Sequence, residues 1–469
     1  NINANKGVVL NNTSDIFLTI NIGSSVTSAV ISKPKYDLDN SIEILGFGVQ
    51  DSVGVNKGLI TNIEDVSRTI KDAILQAKES VTETIGTTVV SISGNYTRGI
   101  KATGYVTIPN GLVSETDINQ AMQMALSNSI ILPDYDVVHV IPLFFKVDDQ
   151  EVENPFNMNG SKLEASVYIV TAKRNALINI KSALRIFGID DVRFVLDSYA
   201  ASLAVLDEQQ KRIGAVVINL GASTTEFVYH KGNSIIYNGF IPVGSKNITN
   251  DLSLMLNTPL RTAEKIKIEY GSLIKDYFGN GEVGPSNVGV SQINDEEYFK
   301  EFPLGHIQTI IHARVEELLV LVKNELKKNA LLDNIGSGIV LTGGMSQLGG
   351  IKELTKNIFE KIPVTVSAPK NLPNSFRVSF DEPNMATTVG LIMFALGMNR
   401  GYQLDSSKKL IRPIRKGQAH DKFVAPQTSH IGQAGPDMRI RTNDTILDPL
   451  PKDKKKKGLG LWKKIEEWF

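Results

Sequence analysis

Residues 21–27 read NIGSSVT and residues 219–225 read NLGASTT. Asn21 matches Asn219, Gly23 matches Gly221, Ser25 matches Ser223 and Thr27 matches Thr225. Each stretch sits inside a β-rich run, DIFLTINIGSSVTSAVIS at 15–32 and AVVINLGASTTEFVYHKGNSIIYNGFIPVG at 215–244. Two ordinary hairpin turns are one reading, because Gly, Ser and Asn are common turn residues. The other is functional: small residues let backbone amides approach an anion, and two facing hairpins can hold one polyphosphate between them. A third glycine site, Gly343-Gly344, lies between a strand and a helix and suits a flat base or ribose against the backbone. Neither a P-loop nor a G-x-G-x-x-G turn is present at these places, so those nucleotide folds gain no support.

The rest of the chain alternates strands with helices, the pattern of an α/β protein. NIEDVSRTIKDAILQAKES (62–80) carries apolar positions at helical spacing, and VVSISG (89–94), GYVTIP (104–109) and SVYIVTA (166–172) read as strands. SETDINQAMQMAL places Ile118, Met122, Ala125 and Leu126 on one helix face behind a Ser114 cap, which suggests a small α+β insert. The helix ALINIKSALRIFG, the strand VRFVLD and the helix YAASLAVLDEQ then lead to the hairpins at 215–244. Residues 262–334 read as mainly helical, interrupted by the Gly- and Asn-rich loop FGNGEVGPSNVG. Ile307, Ile311, Val315, Leu318, Leu319 and Val322 form the apolar stripe of the longest helix there. GIVLTGGMSQLGGIKELTKNIF returns to strand, glycine turn and helix, and periodicity ends after MATTVGLIMFALG (385–397).

Composition bounds the possibilities. At 469 residues the chain exceeds one ordinary core, so two or more domains are expected. Fifty basic against 50 acidic residues leave no net field for nucleic acid. Without cysteine there are no disulfides, no thiolate catalysis and no Cys-ligated zinc, as suits a reducing cytoplasm. The six histidines, His139, His230, His306, His312, His420 and His430, show no paired ligand spacing, so no metal cage is expected. No 18-residue uncharged apolar run offers a membrane span, and NINANKGVVLNNTS lacks the charged start and apolar core of a signal peptide.

The two loops and the Gly343-Gly344 turn, in this order, resemble the phosphate-1, phosphate-2 and adenosine motifs of the superfamily of actin, heat-shock chaperones and sugar kinases. Within it the chain is most similar to the FtsA family of bacterial cell-division proteins. HVIPLFFKVDD, NPFNMNGSKLEASVYIVTA, TAEKIKIEYGSL, GIVLTGGMSQLGGIKEL and ATTVGL all resemble that family's segments, and the likeness runs over most of 15–397. It implies an actin-like fold, two RNase H-like domains around a nucleotide cleft, with an inserted subdomain called 1C. The implied division is 1–14 as a flexible start, 15–86 with 167–212 and 384–398 as subdomain 1A, and 87–166 as subdomain 1C. Residues 213–262 with 336–383 form subdomain 2A, 263–335 subdomain 2B, 399–457 a flexible linker and 458–469 a terminal helix.

The same resemblance implies ATP and magnesium as cofactors. Asn21, Gly23, Ser24 and Ser25 would meet phosphates from one side, and Asn219, Gly221, Ala222, Ser223, Thr224 and Gly244 from the other. Gly343, Gly344 and Met345 would line the adenosine, with Glu264 and Lys267 approaching ribose and base; without the family, Glu264 and Lys267 read as an exposed i,i+3 ion pair. Relatives usually carry an acid where this chain has Asn21 and Asn219. An amide keeps the size, loses the charge that positions magnesium and attacking water, and removes repulsion against a triphosphate. Binding should therefore survive better than hydrolysis, leaving at most a weak ATPase. Asp197 reads equally as a water-orienting acid or as the N-cap of the following helix. Glu226 lies near a position acidic in many relatives, with its role open.

The chain ends PKDKKKKGLGLWKKIEEWF. On a helix Leu461, Trp462, Ile465, Trp468 and Phe469 share one side, opposite Lys463 and Lys464. Residues 458–469 rise only about 18 Å, so such a helix lies in a membrane interface instead of crossing it. The five lysines of KDKKKK add affinity for anionic lipid. Docking on the protein's own body is the alternative, opposed by the intervening loose linker. The resemblance then implies a scaffold that polymerises at the cytoplasmic face of the membrane, binds the C-terminal peptide of FtsZ on subdomain 2B and recruits later division proteins. A phosphotransfer enzyme of the superfamily, or a PilM-like pilus-assembly homologue, is the other class.

Overall fold

The computed structural model describes residues 15–35, 42–79, 81–277, 282–293, 295–370, 380–398 and 401–412. The expected loose start at 1–14, the linker beyond 412 and the terminal helix with Leu461 to Phe469 lie outside the described residues.

The first lobe is built on β1 (Phe17–Ile22), β2 (Val26–Pro34), β3 (Ile42–Asp51), β6 (Thr87–Ile92) and β11 (Val192–Leu196), in the order β11-β6-β1-β2-β3. β1, β2 and β3 form an antiparallel meander, while β6 and β11 extend the sheet in parallel. A small hairpin, β4 (Val55–Asn56) with β5 (Leu59–Ile60), projects between β3 and α1 (Ile63–Lys78). Asn62 caps α1 by accepting the Glu64 and Asp65 amides, and Val66, Ile70, Ala73, Ile74 and Ala77 bury its inner face. α1 packs on β2, β3 and α3 (Arg174–Arg185).

The second lobe repeats this plan. β12 (Ala215–Leu220), β13 (Thr225–Lys231) and β14 (Ser234–Ile241) form the meander, and β17 (Gly338–Thr342) and β18 (Val364–Val366) add parallel strands in the order β14-β13-β12-β17-β18. The two loops of the opening comparison are thus the β1–β2 and β12–β13 turns of equivalent sheets. Two helices lie between the sheets, α4 (Asp197–Val205) and α10 (Ala386–Ala395), packed against each other; α10 rests on β1 and β6 and α4 on β12 and β13. A short α5 (Glu208–Ile213) leads into β12.

Three boundaries differ from the sequence expectation. The insert does not begin at 87, because β6 is fully committed to the first sheet between β1 and β11. It begins after residue 93 with β7 (Thr97–Thr107), α2 (Glu115–Ser127), β8 (Tyr135–Val147), β9 (Gln150–Val152) and β10 (Lys162–Lys173). Nor is 399–457 wholly linker: β19 (Gln403–Leu404) and β20 (Leu410–Ile411) return to this sheet, in the order β20-β19-β8-β10-β7, with Leu404 and Tyr402 in its core. Asp405 folds that return by accepting from the Ser407 and Lys409 amides and pairs with Arg193 at 3.5 Å. Finally, the helical unit of the second lobe extends outside 263–335. α6 (Ser245–Met255) and α7 (Leu260–Tyr270) pack together, both against α8 (Leu304–Lys328), and the expected loop leads straight into a hairpin, β15 (Asn287–Gln292) with β16 (Asp295–Pro303). Val288 and Val290 bury one face of β15 in the same core as α8. α9 (Ile351–Phe359) completes the lobe beside β18. Among the described residues no helix is long and apolar enough to cross a membrane.

Candidate nucleotide-binding cleft

The loop after β1 closes with the Gly23 amide donating to the Val26 carbonyl at 3.1 Å, and the loop after β12 closes with the Gly221 amide donating to the Thr224 carbonyl at 2.9 Å. The matching bond at matching offsets makes them one turn used twice. They face each other across the lobes, and the β4–β5 hairpin ties them: the Lys57 amide donates to Ser223 Oγ at 3.1 Å and the Gly58 amide to Ser24 Oγ at 3.4 Å. Lys246 Nζ, at the start of α6, donates to the Ser24 carbonyl at 2.6 Å. Lys57, Gly58 and Lys246 were not legible as site residues. Two-residue strands carry no periodicity, and the only local signal was the turn sequence Asn56-Lys57-Gly58.

Gly244 precedes α6 and packs against the second loop; the Ser245 and Lys246 amides donate to the Gly221 and Ala222 carbonyls at 3.1 and 2.7 Å. Glu264 and Lys267 do form the i,i+3 ion pair, at 2.7 Å, and they also grip α6. Lys267 Nζ reaches Thr249 Oγ1 at 3.0 Å and the Ser245 carbonyl at 3.4 Å, and Thr249 donates to Glu264. Gly343 stands beside the second loop at φ +85°, where a Cβ would lie 2.4 Å from Asn219 Oδ1. A Cβ on Gly344, next to it, would meet only Asn384 Cβ, at an ordinary contact distance of 3.8 Å, and Met345 is buried. The predicted phosphate, ribose and adenosine groups of residues are thus adjacent along the second lobe.

Asn21 and Asn219 share a partner element. Asn21 Nδ2 donates to Thr388 Oγ1 at 3.3 Å and Asn219 Nδ2 to Thr387 Oγ1 at 3.1 Å, so the first turn of α10 holds the leading residue of both loops. Thr387 and Thr388 stand 168 and 367 residues from their partners, and sequence reading alone did not find them.

Asp197 is the first residue of α4 but makes no capping hydrogen bond; Leu196 occupies the N-cap position, and the capping reading is set aside. Its carboxyl is hydrogen-bonded to Ser91, whose Oγ also accepts the Ile22 amide at 3.0 Å, while Oδ1 is sealed from solvent without a partner. Burial, then the charge of Glu226, push its pKa well above the usual carboxylate range. Glu226, from β13, is 3% exposed and accepts from Ser93 Oγ at 2.8 Å. Burial raises its pKa from 4.5 to about 7, against the lowering by the Ser93 and Gly94 hydrogen bonds. One acid from each lobe therefore meets under the loops, and burial favours the protonated forms.

A carboxyl whose folded pKa is raised costs nothing below its ordinary pKa, and the cost grows as pH rises to the folded value. Glu226→Gln should gain stability relative to the wild type as pH rises from 4.5 to about 7, by up to about 1.4 kcal/mol per pH unit. Differencing against the wild type cancels His230, which burial holds neutral down to about 3. Thermal melts of both proteins across this range check it; a pH-independent difference contradicts the raised carboxyl.

The donors present fit a nucleotide: two amide-lined turns, a helix N-terminus, lysines and a glycine turn beside the second loop. They fit a protein-held magnesium poorly. Both leading positions are amides, and among the described residues no group of three or more histidines or carboxylates is placed to hold a metal ion.

Comparison with known proteins places this geometry. Residues 216–390 match the family described as Cell division protein FtsA, and residues 94–171 match the SHS2 domain inserted in FTSA, which coincides with the insert as the sheets define it. The chain is 31% identical to Cell division protein FtsA of Helicobacter pylori over 92% of its own length and 90% of that protein's. It is 32% identical to the protein of the same name from Pseudomonas aeruginosa, over 80% and 88% of the two chains. A solved PilM-PilN type IV pilus biogenesis complex has the same fold, with a TM-score of 0.56 at 16% identity, covering 81% of this chain and 98% of that one. With the sheets, the inserted domain and the full-length relatives in agreement, the chain has an actin-like fold and belongs to the FtsA family of cell-division proteins.

Proposed function

We propose that this chain is an ATP-binding, actin-like scaffold that self-associates at the cytoplasmic face of the membrane during cell division. The observation that supports it most is the pair of equivalent turns drawn together by Lys57 and Gly58. Closure on a polyphosphate would be felt at once by both lobes. ATP phosphates would take the amides at Gly23 to Ser25 and at Gly221 to Thr224, with adenosine on Gly343, Gly344 and Met345 and ribose near Glu264 and Lys267. Hydrolysis would be slow. Asn21 and Asn219 supply no negative charge to steer attacking water, and Asp197, although placed below the loops, is biased towards its protonated form.

The C-terminal peptide of FtsZ would dock on the helical unit formed by α6, α7 and α8, and the terminal helix with its lysine run would attach the assembly to anionic lipid. A single such helix binds weakly, and many on one polymer bind together, so assembly would set membrane affinity. Electron microscopy of the full chain on anionic lipid monolayers, with and without ATP, tests this. Ordered arrays that depend on nucleotide are expected, and bare monolayers in both conditions would refute it. Removing residues 458–469 should cut co-pelleting with anionic liposomes by about tenfold or more without changing the melting temperature. Unchanged pelleting would rule out the anchor.

A further inference from the structure

We infer that the cleft takes its nucleotide without a protein-held divalent cation, so that free ATP and its magnesium complex bind with similar affinity. This rests on the nucleotide reading above and departs from the magnesium expected of the superfamily.

Three observations carry it. The leading residue of each loop is neutral and already committed. Asn21 and Asn219 spend their amide nitrogens on Thr388 and Thr387, and Asn219 Oδ1 packs against Gly343. Neither stretch, 21–27 or 219–225, contains a carboxylate. Secondly, the acids beside the loops are poor ligands: Glu226 has one oxygen bonded to Ser93 and the other buried, and Asp197 has an oxygen buried without a partner. Burial keeps both biased towards the protonated form, and a protonated carboxyl is a weak magnesium ligand. Thirdly, a cation already stands between the loops: Lys246, whose amide donates to Ala222 of the second loop, reaches the Ser24 carbonyl of the first with its Nζ, whereas Lys267 is paired with Glu264.

In a cleft with two loop carboxylates, free ATP is repelled, and magnesium restores binding by bridging phosphate and protein through its waters. Here the repelling charges are missing and lysine stands in for the neutralising one. The metal is left with no carboxylate to bridge to.

The test is calorimetric titration of the full chain with ATP, once in excess magnesium and once in EDTA. The dissociation constants should agree within about threefold. Asn21→Asp with Asn219→Asp should lose about tenfold or more of its affinity in EDTA and recover it in magnesium. Asn21→Ser with Asn219→Ser keeps the loops neutral and should stay insensitive to the metal, which separates charge from loss of the amide contacts. A wild-type affinity that drops tenfold or more in EDTA overturns the inference while leaving nucleotide binding intact. No binding in either buffer overturns the nucleotide reading itself, and this inference with it.

Discussion

Gly390→Ala is expected to destabilise the protein by about 3 kcal/mol or more. Gly390 lies in the middle of α10, where a Cβ would sit 1.8 Å from the Ala200 carbonyl oxygen and 2.9 Å from the Ala200 Cα. Both obstacles are backbone. No rotamer change relieves them, so α10 and α4 must separate or tilt. All ten residues of α10 are buried, which leaves no solvent side to shift towards. The damage should spread beyond the contact, because the first turn of α10 holds Asn21 and Asn219 through Thr388 and Thr387. A thermal melt followed by circular dichroism reads the effect; a melting temperature within a degree or so of wild type would mean that the two helices do not pack this closely.

Gly343→Ala is the second large effect, and it should appear in binding as well as in stability. At φ +85° an alanine is strained wherever it sits, and here its Cβ would also lie 2.4 Å from Asn219 Oδ1 and 2.6 Å from the Leu220 carbonyl oxygen. Relief requires the β17 turn to move off β12, which separates the proposed adenosine shelf from the second phosphate loop. ATP affinity should fall at least about tenfold, the equivalent of about 1.4 kcal/mol. The melting temperature should also drop, and ATP should restore less of it than in the wild type. An affinity equal to wild type would place the nucleotide away from Gly343.

What could be read in advance followed from how local the information is. Asn, Gly, Ser and Thr in a β-rich run specify a turn through their own backbone preferences, so NIGSSVT and NLGASTT revealed the repeated hairpins without a structure. Ser114 likewise announced α2 as its cap, and the structure adds Asp117 to form a capping box. The misassigned strands failed for the converse reason. TTVVSI mixes Thr, Val, Ser and Ile and would suit a strand of any sheet, so only its pairing with β1 and β11 assigns β6 to the first lobe. Residues 403–411 were assigned to the linker because two-residue strands have no period to detect, yet Leu404 and Tyr402 help close the core of the insert.

The site divides along the same line. Candidate residues within the three glycine turns were readable, because each turn is a contiguous signature. Their supports were not: Ser93 to Glu226 spans 133 positions and Asn219 to Thr387 spans 168. Such pairs join the two lobes, and nothing in either local sequence specifies its partner. The protonation bias of Asp197 and Glu226 is likewise a property of two lobes meeting, since Glu226 accepts from Ser93 across them and its charge helps to raise Asp197.

The central claim, that the two equivalent turns close on one nucleotide, is tested most directly by calorimetric titration of the full wild-type chain with ATP. One molecule of ATP per chain, displaced by ADP and weakened by Gly343→Ala, is the predicted result. No heat of binding, together with no ATP-induced rise in melting temperature, would contradict it.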